Sequence, residues 1–153
     1  MLRKLLETPK SPALAVIRVV LGVVMFAHGA QKALGWFGGH GPSGTIGFFD
    51  QALGVPAVLT LLVIAAEFLG GLGLIVGALG RIAAAGVIAV MLGAVGLVHL
   101  ENGFFMDWTG QQAGQGFEFH LLVIAMAVAV ALRGSGALSV DRVLLKREWR
   151  GGR

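Results

Sequence analysis

The sequence predicts an all-α integral membrane protein: a four-transmembrane-helix bundle with N-terminus and C-terminus both in the cytoplasm. Three observations predict it. Of the 153 residues, 56% are hydrophobic and 13% charged, with a mean hydropathy of +0.84; a soluble domain carries roughly 45–50% apolar and roughly 25% charged residues. The apolar residues fall into four runs, each near the ~20 residues that a crossing takes. Lys and Arg collect at alternate ends of those runs, as cytoplasmic loops require. This composition excludes intrinsic disorder. With four spans in place, these residues leave no room for a separate soluble catalytic domain.

Taken in order, residues 1–11 form a cytoplasmic segment bearing Arg3, Lys4 and Lys10. The transmembrane domain, 12–134, holds spans at about 12–34, 55–79, 81–100 and 117–133. The first begins at Pro12 and is broken by Arg18 and by His28, Gln31 and Lys32. Arg18 and a poor small-residue site near His28 read it as an uncleaved anchor rather than a signal peptide. The first outer loop is Gly-rich, and Ile46, Phe48, Phe49 and Leu53 predict a short interfacial helix there. The second span carries one ionisable residue, Glu67, and the third none between Ile82 and Val98. The second outer loop repeats the aromatic pattern with Phe104, Phe105 and Trp108. The fourth span is the shortest and opens with Glu118 and His120. Residues 135–153 form a basic, amphipathic cytoplasmic tail with Arg142, Lys146, Arg147, Arg150 and Arg153, suited to anionic headgroups.

Charge and cysteine usage narrow the function. The formal charge of +4 is explained by topology, so nucleic acid is not an expected partner. With no cysteine, thiol catalysis and Cys-ligated metal centres are excluded. The 25 glycines are read as packing residues, with Gly73–Gly77 and Ala89–Gly93 as close-approach steps between helices. Gly38-Gly39-His40-Gly41 lacks the strand and the Lys-Ser/Thr of a phosphate loop.

Ionisable side chains inside the spans need partners. At 1.5 Å per residue, Arg18 lies about 9 Å in from the cytoplasmic end, and Glu67 about 12 Å from the same side of a ~30 Å core. A buried Arg18–Glu67 ion pair is therefore expected, with a register-fixing role. Toward the outer surface three spans bring polar groups to one level: His28, Gln31 and Lys32, then His99 and Glu101, then Glu118 and His120. With Trp36 above them, these residues form a candidate outer pocket for a quinone, a haem or a polar substrate. The histidines could hydrogen-bond quinone carbonyls while Glu101 or Glu118 relays protons; two of them could ligate haem. Spacing supports no metal site, and no catalytic residue is assigned.

His28-Gly29-Ala30-Gln31-Lys32 with Gly35-Trp36-Phe37-Gly38-Gly39, then Ala66-Glu67-Phe68-Leu69-Gly70-Gly71 with Gly77 and Arg81, then Asn102-Gly103-Phe104-Phe105 and Gly116-Phe117-Glu118, resemble the signature of the DoxX family. The resemblance covers about residues 13–141. It implies a four-helix, multi-pass protein of the prokaryotic cytoplasmic (inner) membrane. It also implies a redox association, since relatives serve as subunits of a thiosulfate:quinone oxidoreductase or belong to oxidative-stress complexes. The expected function is a quinone-interacting membrane redox component acting with a partner subunit or as a homo-oligomer. Quinone is the expected cofactor and haem the weaker one. The alternatives are a small-molecule or lipid transporter and a structural or assembly subunit.

Overall fold

The computed structural model describes residues 2–151, with side chains described over 3–146. Among them the chain is all helical. Helix α1 spans Leu2–Leu6, α2 Pro12–Leu34, α3 Gly41–Leu53, α4 Ala57–Val76, α5 Gly80–Ala94, α6 Glu118–Arg133 and α7 Val140–Gly151. A π turn, Val95–His99, and a 3₁₀ turn, Leu100–Asn102, prolong α5. Three helices are long and apolar enough to cross a membrane: Pro12–Leu34, Ala57–Val76 and Gly80–Asn102. Helix α6 has 16 residues, about 24 Å at 1.5 Å per residue.

Helix boundaries follow from local chemistry. Ser11 caps α2, its hydroxyl accepting from the Leu14 N–H at 3.3 Å, and Pro12 occupies the first turn, where no N–H is needed. Helix α4 stops at Gly77, whose φ of +71° suits only glycine without strain. A side chain there would also strike Ser139, with its Cβ 2.4 Å from that residue's Cβ. A helix does form in the first loop, α3. It leans on α2 and α4 rather than lying free.

Helices α2 and α4 run antiparallel in the closest pairing of the bundle. A Cβ on Gly29 would lie 2.3 Å from the Phe68 nitrogen, one on Gly71 2.5 Å from the Phe26 nitrogen, and one on Gly22 2.7 Å from the Ile75 nitrogen. These three glycines let the backbones touch, as small residues do where packing drives association. The steps expected to do this lie elsewhere. A Cβ on Gly93 would meet nothing within 4 Å, because Ala89 and Gly93 face open space. Leu21, Met25, Leu74, Val87, Met91, Val123, Ala127 and Val130 close the core between α2, α4, α5 and α6.

Both terminal segments are tied to one end of the bundle, here termed the terminal end; the other is the loop end. Arg18, 1% exposed, donates from Nε to the Ser135 carbonyl at 2.7 Å, and from Nη1 to the carbonyls of Leu74 and of Ile75, the latter at 2.7 Å. Its Nη2 donates to the carbonyls of Ala137 and Leu138 at 3.5 and 3.2 Å. Asp141, 1% exposed, accepts from the N–H groups of Leu79 and Gly80 at 2.7 and 3.1 Å and from the Ser135 hydroxyl at 2.6 Å. Arg81 donates to the Ala131 and Leu132 carbonyls at 2.6 and 2.7 Å and to the backbone carbonyl of Glu7 at 3.1 Å. Two arginines thus cap the negative ends of α4 and α6, and one aspartate caps the positive end of α5. Of the predicted basic tail, Arg142 and Lys146 lie on α7; the side chains of Arg147 and Arg150, and Arg153 altogether, lie outside the described residues.

Candidate functional site

The expected Arg18–Glu67 pair does not form. Glu67, 4% exposed, binds Lys32, with Nζ 2.6 Å from Oε2. Side chains tilt toward the N-terminus of their helix. Arg18 therefore reaches back to the terminal end, where the free carbonyls of α4 take it. Glu67 reaches along α4 toward the loop end, and Lys32 leans back along α2 to meet it. Depth arithmetic on Cα positions missed these three tilts. Lys32 also donates to the His28 carbonyl at 3.4 Å.

This ion pair lies at the wall of a cleft of about 960 Å³. Helix α3 covers it with Phe48, Phe49 and Leu53. The loop-end halves of α4 and α5 form its sides, including Leu59, Leu62, Ala66, Ala89, Gly93 and Leu97. Polar groups converge from α2 (His28, Lys32), α4 (Glu67), the π turn (His99) and α6 (His120). The π turn adds a residue to the helical ladder and so changes the direction in which His99 projects.

His99 and His120 face each other, with ring centroids 4.1 Å apart and planes at 39°. His99 Nδ1 lies 2.8 Å from the Gln115 carbonyl. A carbonyl only accepts, so this nitrogen carries a proton and leaves Nε2 as the ring atom free for a ligand. His120 is 6% exposed, and its Nδ1 is buried without a partner. An unpaired polar atom in an apolar cleft is costly unless something binds it. An iron with two axial imidazoles sets their centroids roughly 6 Å apart, given bonds of about 2 Å; at 4.1 Å, His99 and His120 cannot be opposing haem ligands. Among the described residues no group of three or more His, Asp or Glu is placed to hold a metal ion.

The eight residues expected to form the outer pocket separate into two sets. His28, Lys32, His99 and His120 line the cleft; Gln31, Trp36, Glu101 and Glu118 do not. Gln31 donates to the Phe37 carbonyl at 3.3 Å, and Trp36 stands edge-on to Phe37. Glu101 is exposed. Glu118 Oε1 accepts from the Met106 N–H at 2.8 Å and the Trp108 indole at 3.4 Å, bracing the loop between the 3₁₀ turn and α6. Asp107 braces the same loop by accepting from the N–H groups of Gln111 and Gln112 at 2.9 and 3.1 Å. Sequence reasoning placed Glu67 outside the pocket and read Phe48 and Phe49 as membrane contacts. The glycines at 22, 29 and 71 carried the missing signal, since they set the α2–α4 register.

The sequence profile of the DoxX family matches residues 13–100, more than half of the chain. The chain belongs to the DoxX family. The matched stretch covers α2 through the π turn, so it includes Lys32, Glu67 and His99; His120 of this DoxX protein lies beyond it. The chain is also 28% identical over 131 residues, 86% of each chain, to a Bacillus subtilis (strain 168) protein named "Putative oxidoreductase CatD". No solved structure matches it.

Proposed function

We propose that this DoxX protein is a membrane redox subunit that binds a quinone-type ring in the cleft and receives electrons through a partner protein. The observation that carries the reading is the cleft's division into an apolar body and one polar corner, with the unpaired Nδ1 of His120 in that corner. A quinone ring is apolar on its faces and presents two acceptor oxygens at its edge. Lys32 supplies a donor, and His120 supplies another in its Nδ1–H tautomer. Two-electron reduction takes up two protons, for which the histidine pair and Glu67 are within the same cleft. The chain has no cysteine to carry electrons, which favours a partner as their source. The relative's name supports an oxidoreductase role without specifying a substrate.

The same reading takes α6 as a fourth crossing, with both termini in the cytoplasm of a prokaryotic cell. Arg3, Lys4, Lys10, Arg81, Arg133, Arg142 and Lys146 all belong to the terminal end, whereas Lys32 at the loop end is neutralised by Glu67. The test is mass spectrometry of small molecules that co-purify in mild detergent, paired with quinone reduction in membranes. A stoichiometric quinone is expected, lost in His120→Leu and Lys32→Met. A protein that carries none, in membranes whose quinone reduction ignores both substitutions, would sink the reading.

A further inference from the structure

The cleft has a second part that ring binding does not use. From its polar corner it continues as a groove between α4 and α5, along about 18 Å of α5 from Val98 down to Gly86 at 1.5 Å per residue. The two helices close at the lower end, where a Cβ on Gly86 would lie 3.3 Å from that of Ala66. Above this floor Ala89 and Gly93 withhold side chains, and the space over Gly93 is open. The rim residues Leu59, Leu62 and Leu97 are exposed on the apolar face of the bundle. Among the described residues, Lys32 and Glu67 are the only Asp, Glu, Lys or Arg side chains that line the cleft, and Glu67 adjoins Ala66 at its floor with its carboxylate turned to Lys32 of α2.

We propose that this groove holds the long apolar tail of the same ligand, so that the site takes a tailed, lipid-soluble ring sideways from the bilayer. Three features converge on that occupant. The groove is continuous with the polar corner, so one molecule can fill both. Its small residues lie on the α5 wall that would otherwise fill it. Its mouth opens between the exposed apolar side chains of Leu59, Leu62 and Leu97, so in the proposed membrane orientation a tail enters without crossing an aqueous layer. Ala89 and Gly93 are then specificity-determining residues that distinguish tailed from tail-free rings. The inference rests on the proposed ring site, and its test separates the two.

The probes are menaquinone and menadione, the same ring with and without a tail, bound to the purified protein in detergent at constant probe mole fraction. Gly93→Leu and Ala89→Phe fill the groove from positions with room for a side chain; unchanged thermal unfolding verifies that they fold. Each is expected to weaken menaquinone at least tenfold and to move menadione less than twofold. His120→Leu is expected to weaken both probes by similar factors. If the filling substitutions leave menaquinone unchanged, or weaken both probes equally, the tail groove is overturned while the ring site stands on the His120 result. If they weaken menaquinone alone but His120→Leu moves neither probe, the groove stands as a tail site and the ring reading fails. Excess saturated phospholipid displacing menaquinone while sparing menadione would support the groove as a general tail site; displacement of both would count against it.

Discussion

Replacing Arg18 by Leu is expected to be among the most damaging single changes available to this fold, and the damage should not depend on Glu67. The guanidinium satisfies carbonyls at the end of α4 and in the segment before α7, all buried or partly buried. Removing one side of a buried charged network costs about 3–5 kcal/mol, because the other side keeps its desolvation penalty. Arg18→Lys keeps the charge and loses the planar fork, which leaves several carbonyls unpaired at about 1–3 kcal/mol. Along α4, Glu67 lies seven residues from Leu74, about 10 Å, beyond the range at which substitutions usually couple. An Arg18→Leu/Glu67→Gln double-mutant cycle should therefore close to within ~0.5 kcal/mol. The Lys32→Met/Glu67→Gln cycle should leave about 1–2 kcal/mol of coupling, reduced from the fully buried value because Lys32 keeps some solvent contact. Equilibrium unfolding in mixed detergent micelles measures all four singles and both doubles. Coupling above ~1 kcal/mol between Arg18 and Glu67 would refute the separation of the two groups.

Other consequences follow from the same geometry. Gly29→Ala and Gly71→Ala should each destabilise by about 1–3 kcal/mol, since their Cβ atoms meet backbone across the α2–α4 seam, whereas Gly93→Ala should be neutral or stabilising by up to ~1 kcal/mol; thermal unfolding separates them. Asp141→Ala should cost about 1–2 kcal/mol by uncapping α5, and hydrogen exchange at Leu79 and Gly80 should rise before the rest of the bundle loosens. Desolvation pulls the Asp107 carboxyl upward, but N–H groups of Gln111, Gln112, Gly110 and Thr109 outweigh it and hold it below its ordinary value. Its contribution to loop order is thus complete above the ordinary carboxylate pKa and disappears as pH falls through the lowered one. Amide protection of Gln111 and Gln112 should follow that course, and Asp107→Asn should flatten it.

The helices were legible because composition and run length decide them, and Ser11-Pro12 and Gly77 mark boundaries by local chemistry alone. The polar level shared by His28, Lys32, His99 and His120 was legible for a similar reason: helical rise fixes depth. Direction was not legible. Arg18 and Glu67 lie at similar Cα depths, yet their side chains tilt apart, and only the glycine seam that sets helix register places Lys32 against Glu67. Glu118 and Gln31 have the right residue type and level, but bind their own loops first. A polar side chain beside a loop meets that loop's backbone N–H and C=O groups before it meets a cavity.

The partners of Arg18 are spread across the chain in a way that bears on how the protein is made. Leu74 and Ile75 lie 56 and 57 residues downstream, and Ser135, Ala137 and Leu138 lie 117 to 120 downstream. At about 5–20 residues per second, synthesis leaves this arginine with only α4 as acceptor for several seconds before the last strand of carbonyls emerges. Completion of the Arg18 network is therefore among the last events of folding. A chain that ends before Ser135 can pair α2 with α4 through Nη1, yet leaves Nε and Nη2 of Arg18 without their native acceptors.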